Sequence, residues 1–235
     1  MGAGKKDWMS LSDHYIMHTY GRSPVTLVEG KGCRVFDSDG KMYLDFVAGI
    51  AVCNLGHAHP AVAEAVCRQA QKLVHVSNLY YTVPQIELAE LLIEHSFADQ
   101  VFFCNSGAEA NEAAIKLARK YSRDRFGEGR HEIICLKDSF HGRTMATLSA
   151  TGQEKFHKGF EPLVEGFKHV SAGDLGAMKQ AITEKTCAIL MEPIQGEGGV
   201  NIPPDEWIPG IRKLCDQYDI MMIADEVQVG MGRTG

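Results

Sequence analysis

The chain has 235 residues, 45% of them hydrophobic and 23% charged, the composition of an ordinary globular protein. Its 24 basic against 30 acidic residues leave a net charge of −6 with no long basic block, which argues against a nucleic-acid partner. The longest apolar stretches, such as Val47 to Cys53 and Ala188 to Met191, fall far short of the roughly 20 residues a membrane helix needs. Met1 to Lys6 carries lysines but no apolar core behind them, so no secretory signal is expected.

Seven cysteines are scattered along the chain, at Cys33, Cys53, Cys67, Cys104, Cys135, Cys187 and Cys215. No two form a C-x-x-C pair, which argues against a zinc ribbon or a redox motif. Several sit inside apolar runs, such as Phe102-Phe103-Cys104 and Ile133-Ile134-Cys135. They read as small buried hydrophobes of a protein kept in a reducing cytoplasm.

In chain order, Thr26 to Val28 and Arg34 to Asp37 read as short strands, followed by the turn Asp37-Ser38-Asp39-Gly40 and a strand from Tyr43 to Phe46. Together they suggest a small β meander in a lobe of its own. Pro60 to Val74 and Pro84 to Glu94 read as amphipathic helices. From about residue 100 the pattern changes to short apolar runs alternating with helical stretches. Val101 to Asn105, Glu132 to Leu136, Cys187 to Met191 and Ile220 to Ala224 are continuous rather than alternating, as expected of strands covered on both faces. Ala108 to Tyr121 carries a good helical stripe. Leu175 to Glu184 and Asp205 to Tyr218 look similar, the second opening after Pro203-Pro204 with an acidic first turn. Strand-then-helix alternation predicts an α/β layer fold with a mostly parallel sheet and helices on both faces.

Ligands of such sheets bind beyond the carboxyl ends of the strands, so the residues that follow each run are the candidates. After the first comes Ser106-Gly107-Ala108, opening a helix whose free N–H groups suit a phosphate, although a plain Ser N-cap looks the same. After the second comes Phe140-His141-Gly142-Arg143. Arg143 is a natural reader of a carboxylate, and His141 is read as stacked on an aromatic ring rather than as an acid or base. After the third, Glu192 and Glu197 share a glycine-rich loop that suits a site or a solvated turn. The last run ends directly in Asp225. A carboxylate closing a buried strand is costly unless a cation meets it, and a pyridinium nitrogen is such a cation. A metal is the rival reading, but no carboxylate or histidine cluster at ligand spacing supports it.

Taken together these segments resemble the subgroup III (ornithine-type) aminotransferases, most closely their acetylornithine branch. The resemblance runs from Tyr43-Leu44-Asp45-Phe46 through Leu55-Gly56-His57-Ala58-His59-Pro60, Asn105-Ser106-Gly107-Ala108-Glu109-Ala110-Asn111, Phe140-His141-Gly142-Arg143-Thr144 and Glu192-Pro193-Ile194-Gln195-Gly196-Glu197. It ends with Asp225-Glu226-Val227-Gln228 and Gly232-Arg233-Thr234-Gly235. Each segment is weak alone, but all of them in this order are specific. In this setting His57 and His59 belong to a structural loop rather than to a metal site.

The resemblance implies fold type I of the pyridoxal 5′-phosphate (PLP) dependent transferases. Residues 1–46 would contribute to a small domain, and residues 47–235 would form an incomplete PLP-binding domain. It implies that Ser106, Gly107 and Ala108 hold the cofactor phosphate, Phe140 and Val227 cover the two ring faces, Asp225 pairs with the ring nitrogen and Gln228 with the phenolic oxygen. Arg143 would grip the substrate α-carboxylate, and Glu197, with Glu192 beside it, would help select between the half-reactions. Tyr20 and Tyr81 are weaker substrate candidates, the second across a dimer interface. Amino-acid and 2-oxo-acid substrates and a homodimer with its active site at the interface follow from the same resemblance. So does a Schiff-base lysine a few tens of residues beyond the Asp225 motif, a position this sequence does not reach, so the 235-residue chain alone is expected not to transaminate. Other donors (ornithine, 4-aminobutyrate, succinylornithine) and a non-catalytic PLP-binding or interaction module are the alternative readings.

Overall fold

The computed structural model describes residues 6–234. Most of the segment read as lacking a secretory signal, and Gly235 at the end of the last motif, lie outside them. The chain divides into two compact units, Met1–Thr82 and Val83–Gly235.

The first unit opens with α1 (Trp8–Tyr15), capped by the Asp7 carboxylate, which accepts from the Ser10 N–H at 3.1 Å. The expected meander follows as β1 (Leu27–Lys31), β2 (Arg34–Asp37) and β3 (Met42–Leu44), antiparallel in that order. Its tight turn is organised by Asp37. One carboxylate oxygen accepts from the N–H groups of Asp39 and Lys41, both at 2.9 Å, and the other from the Tyr43 hydroxyl at 2.8 Å. Beyond it lie α2 (Ala48–Ala51) and α3 (Pro60–Ala70), the latter with proline in its first turn. His57 meets Asp45 at 2.7 Å, in keeping with a structural loop.

The second unit carries the large sheet. Its elements are α4 (Val83–Glu94), α5 (Gly107–Phe126), β4 (Glu132–Leu136), α6 (Met145–Ala150), α7 (Glu154–His157), β5 (Phe167–Val170), α8 (Leu175–Ala181), β6 (Thr186–Met191), α9 (Trp207–Tyr218) and β7 (Met221–Ala224). The strands are all parallel, in the order β5-β4-β6-β7. Because β4 and β6 are apolar at every second residue on both sides, the sheet buries both faces. Ile134, Leu136, Ile189 and Met191 pack with Met178 of α8 and with Trp207, Ile211 and Cys215 of α9. On the opposite face, Ile133, Cys135, Cys187, Ala188 and Leu190 pack with Ile115 and Ala118 of α5 and Ala150 of α6. Burial pushes the Cys187 and Cys215 thiols up to about 11 and Cys135 higher still, so these three behave as core side chains, whereas Cys33, Cys67 and Cys104 are exposed, against the expectation of buried cysteines.

Several expectations are corrected. Val101 to Asn105 forms no strand: no neighbouring strand pairs with it among the described residues, Phe102 is exposed, and the Asn105 N–H turns to the Glu109 carboxylate at 2.6 Å instead of a ladder. The strand β5 was not expected, since Phe167-Lys168-His169-Val170 interrupts its apolar residues with polar ones. It sits at the sheet edge, where Lys168 can reach Glu132 at 2.6 Å. The last long helix begins at Trp207 rather than Asp205, because the Trp207 N–H closes a turn onto the Pro204 carbonyl at 2.9 Å.

The turn that follows α6 leaves no room for a side chain at Gly152. A Cβ there would lie 2.0 Å from the Leu136 carbonyl oxygen and 2.8 Å from the Lys137 Cα, both of them backbone atoms. Gly152→Ala is therefore expected to cost about 1–3 kcal/mol or more, measured by urea unfolding with Gly21→Ala, whose Cβ meets open space, as the control. Equal stability of the two variants would contradict this packing.

Candidate active site

The order β5-β4-β6-β7 makes the chain leave β4 toward one edge and β6 toward the other. The loops after β4 and β6 therefore part at this point and open a crevice at the carboxyl ends, the usual ligand position in open α/β sheets. The crevice is tied across by Glu192, whose Oε2 accepts from the Phe140 N–H at 2.9 Å. Glu192 is buried, and burial pushes its carboxyl above the ordinary carboxylate range. The neighbouring Asp225 charge adds to the shift, and the Phe140 N–H and His141 oppose it.

One wall is the start of α5. Ser106 caps the helix by accepting from the Glu109 N–H at 3.2 Å. Helix geometry leaves the N–H groups of Gly107 and Ala108 without acceptors inside the helix, at the positive end of its dipole. This end is packed tightly. A Cβ on Gly107 would lie 2.6 Å from Val227, and one on Gly142 would lie 2.8 Å from the Ala108 Cβ. The structure thus brings together residues that are 120 positions apart in sequence (Gly107 and Val227), with glycine as the condition of the approach.

At the floor lies Asp225, directly beyond β7 and 7% exposed. Its Oδ2 accepts from Asn111 Nδ2 and from His141 Nδ1, each at 2.7 Å, and its Oδ1 accepts from the Val227 N–H at 3.1 Å. Burial acts to raise the Asp225 carboxyl, but the hydrogen bonds from His141, the Asn111 amide and the Val227 N–H outweigh it. Asp225 is held below the ordinary carboxylate range. The expectation that His141 stacks on an aromatic ring is therefore corrected: its ring is spent on the carboxylate, because a buried anion needs donors more than an aromatic needs a neighbour. Asn111 was not singled out in the sequence. The available signal was a lone amide near the apolar stripe of α5, one turn after Gly107.

Phe140 is half-buried and meets the Phe156 ring edge-on at 5.5 Å. Arg143 is exposed, with its guanidinium 5.4 Å above the same Phe156 ring. Gln228 reaches Gly196, where a Cβ would lie 1.8 Å from its amide oxygen, and that oxygen is buried with no hydrogen-bond partner among the described residues. Val227 and Glu197 are exposed, Val227 against Gly107 and Glu197 on the loop after β6. Tyr20 and Tyr81 belong to the first unit and are exposed there. No group of three or more His, Cys, Asp or Glu among the described residues could hold a metal ion.

The second unit thus joins a helix start whose first N–H groups lack helical acceptors, a buried carboxylate directly beyond β7 and the Phe140–Arg143 loop after β4, on a parallel sheet. Over residues 15–235 the chain matches the family model Aminotransferase class-III. It is 57% identical to the acetylornithine aminotransferase of Caldanaerobacter subterraneus subsp. tengcongensis, over 94% of this chain and 56% of that protein. It is 54% identical to the acetylornithine aminotransferase of Methanocaldococcus jannaschii, over 98% of this chain and 58% of that protein. Among solved structures it is similar to the ornithine aminotransferase of Toxoplasma gondii, in a structure that reveals partial occupancy of PLP at that protein's active site. The TM-score is 0.90 and the identity 32%, over 96% of this chain and 54% of that one. The chain belongs to the class-III aminotransferase family and has the α/β fold of its PLP-dependent members. It spans between half and three-fifths of the length of the curated relatives it matches.

The environment of Glu192 makes a prediction about pH. Its folded-state pKa is raised, so the unfolded chain gives up this proton first as pH increases. The resulting penalty is absent below the ordinary carboxylate range and grows as pH rises through it toward the folded value. Glu192→Gln keeps an acceptor for the Phe140 N–H and removes the penalty. The variant is expected to melt at a higher temperature than the wild type at neutral pH, with the gap closing at acid pH. A gap of the same size at both would contradict it.

Proposed function

We propose that the complete protein containing this chain is a PLP-dependent aminotransferase that moves the amino group of N2-acetylornithine to 2-oxoglutarate, a step of arginine biosynthesis. The observation that carries this reading is identity above 50% with acetylornithine aminotransferases over nearly the whole chain, joined to a crevice whose groups suit the cofactor. Two features of the second unit support the fit: the helix start at Gly107 and Ala108 suits a phosphate, and the buried Asp225 anion has lone-pair capacity left on Oδ1.

When bound, PLP supplies a carbonyl group that takes the amino group and a ring that acts as an electron sink. The residues of this chain would bind and steer. Ser106, Gly107 and Ala108 would hold the phosphate, and Phe140 and Val227 would cover the ring faces. Gln228 would bond the phenolic oxygen. Asp225 would keep the proton on the ring nitrogen, because losing it would leave a buried carboxylate without its cation. Arg143 would bind the substrate α-carboxylate through its planar fork, and Tyr20 is a further substrate contact. Glu197, with Glu192 beside it, would favour one amino acid over the other in the two half-reactions. In the complete protein, residues 1–46 would contribute to a small domain and residues 47–235 to the PLP-binding domain. A cytoplasmic homodimer with active sites at its interface belongs to the same proposal, with Tyr81 contributing across that interface.

No helix among the described residues is long and apolar enough to cross a membrane. Ornithine, 4-aminobutyrate and succinylornithine are the competing donors, and a comparison of kcat/KM across the four with 2-oxoglutarate as acceptor decides between them. Acetylornithine is expected to lead; a clear preference for another donor would overturn the substrate assignment.

Asp225→Ala and Arg143→Ala separate chemistry from binding. An interaction that strengthens only in the transition state lowers kcat, whereas one already made with bound substrate raises KM. Asp225→Ala is expected to lower kcat by roughly a hundredfold or more, since a charged partner of a buried site is worth a few kcal/mol. Arg143→Ala is expected to raise KM for the amino donor by about tenfold or more. Steady-state kinetics on the complete protein check both. Near-normal kcat in the first, or unchanged KM in the second, would remove the assigned roles.

A further inference from the structure

Asp225 is held from three different elements, and the way its oxygens are shared is unequal. Asn111, on the second turn of α5, donates from one Nδ2 to both Asp225 Oδ2 at 2.7 Å and the His141 carbonyl at 2.9 Å. Both partners are pure acceptors, so only the amide nitrogen can face them, and the orientation of this side chain is set by chemistry. The His141 backbone is fixed in turn by its N–H, which donates to Thr151 Oγ1 at 2.9 Å. The His141 ring then gives Nδ1 to Asp225 Oδ2 at 2.7 Å, while its Nε2 is buried with no partner among the described residues. Among the described residues Oδ2 thus receives two donors, and Oδ1 receives only the Val227 N–H at 3.1 Å.

We propose that Asn111 and His141 are positioning residues that saturate Oδ2 and so present Asp225 as a fixed anion with Oδ1 as its one open oxygen, the atom that meets the ring nitrogen of the cofactor. The proposal rests on the PLP reading above and adds which oxygen does the work and what holds it. It also assigns the His141 tautomer. Nδ1 carries the proton, because its partner is an anion that can only accept. Nε2 carries a bare lone pair, because a proton there would bury a second donor and a positive charge with nothing to receive them. The other ionisable group coupled to this carboxylate is Glu192, on the loop after β6. Neither of these roles can be filled by bulk alone: Asn111→Leu keeps size but loses a donor, and Asn111→Asp sets a second anion against two acceptors.

The test uses the complete protein in two arms. In the cofactor-free protein, nitrogen-15 NMR of the histidine imidazoles, assigned by loss of one signal in His141→Leu or by selective labelling, is expected to show His141 protonated at Nδ1 with Nε2 bare. In the second arm, PLP affinity is expected to fall about 10- to 100-fold in Asn111→Leu and His141→Leu, and to return to within about threefold in His141→Asn, whose amide keeps a donor near the Nδ1 position. The pyridine nitrogen of nitrogen-15-labelled bound PLP, read by NMR, is expected to stay protonated across pH in the wild type and to titrate in the two leucine variants. Packing damage alone would weaken binding without this spectral change. A proton on Nε2, or His141→Asn binding as weakly as His141→Leu, overturns the proposal. Failure of the wild type to bind PLP at all overturns the cofactor reading instead, and the imidazole spectrum of the cofactor-free protein still decides whether the Nδ1 donor exists.

Discussion

An ionised carboxylate in a protein interior must find donors and a counter-charge, and the second unit is arranged around that demand at Asp225. The residue stands one step beyond β7, where the backbone leaves the sheet, with its N–H still donating to the Met191 carbonyl at 2.7 Å. Its side chain draws in three parts of the chain that are far apart in sequence: α5 through Asn111, the loop after β4 through His141, and its own turn through Val227. Each bond shortens the list of places these elements can occupy. A site built this way depends less on any one contact than on all three being made at once.

The glycines complete the same convergence from the steric side. Gly107 lets Val227 approach the start of α5, Gly142 lets the loop after β4 lie on Ala108, and Gly196 makes room for the Gln228 side chain. None of these glycines is chosen for a turn alone. Each stands where a methyl group would push apart two segments that both line the crevice. The sheet supplies the frame, because strands apolar on both faces hold α5 and α6 on one side and α8 and α9 on the other.

Much of this was legible in the sequence, and for identifiable reasons. Glu132 to Leu136 announced a buried parallel strand because a continuous run of Ile, Ile, Cys and Leu has no polar face to expose, and β4 has those bounds. Asp225 stood out because a charge ending such a run is costly. Other features could not be read locally. Val101 to Asn105 has the composition of a strand, but a strand also needs a neighbour, and sequence pattern does not supply one. The edge strand β5 carries Lys168 and His169, so its periodicity was hidden by side chains that reach sideways to Glu132 and to the Ala150 carbonyl. His141 and Asn111 illustrate the limit at the site itself. Their residue types permit many partners, and only the fold sets them 2.7 Å from one carboxylate oxygen.

The most direct measurement is a crystal structure of the complete protein with PLP bound. The ring nitrogen is predicted to lie within hydrogen-bonding distance of Asp225 Oδ1, with Asn111 and His141 still on Oδ2 and the phosphate on the N–H groups of Gly107 and Ala108. A cofactor seated elsewhere, or one whose ring nitrogen leaves Asp225 unengaged, would contradict the idea that this crevice is organised around a buried anion waiting for a cation.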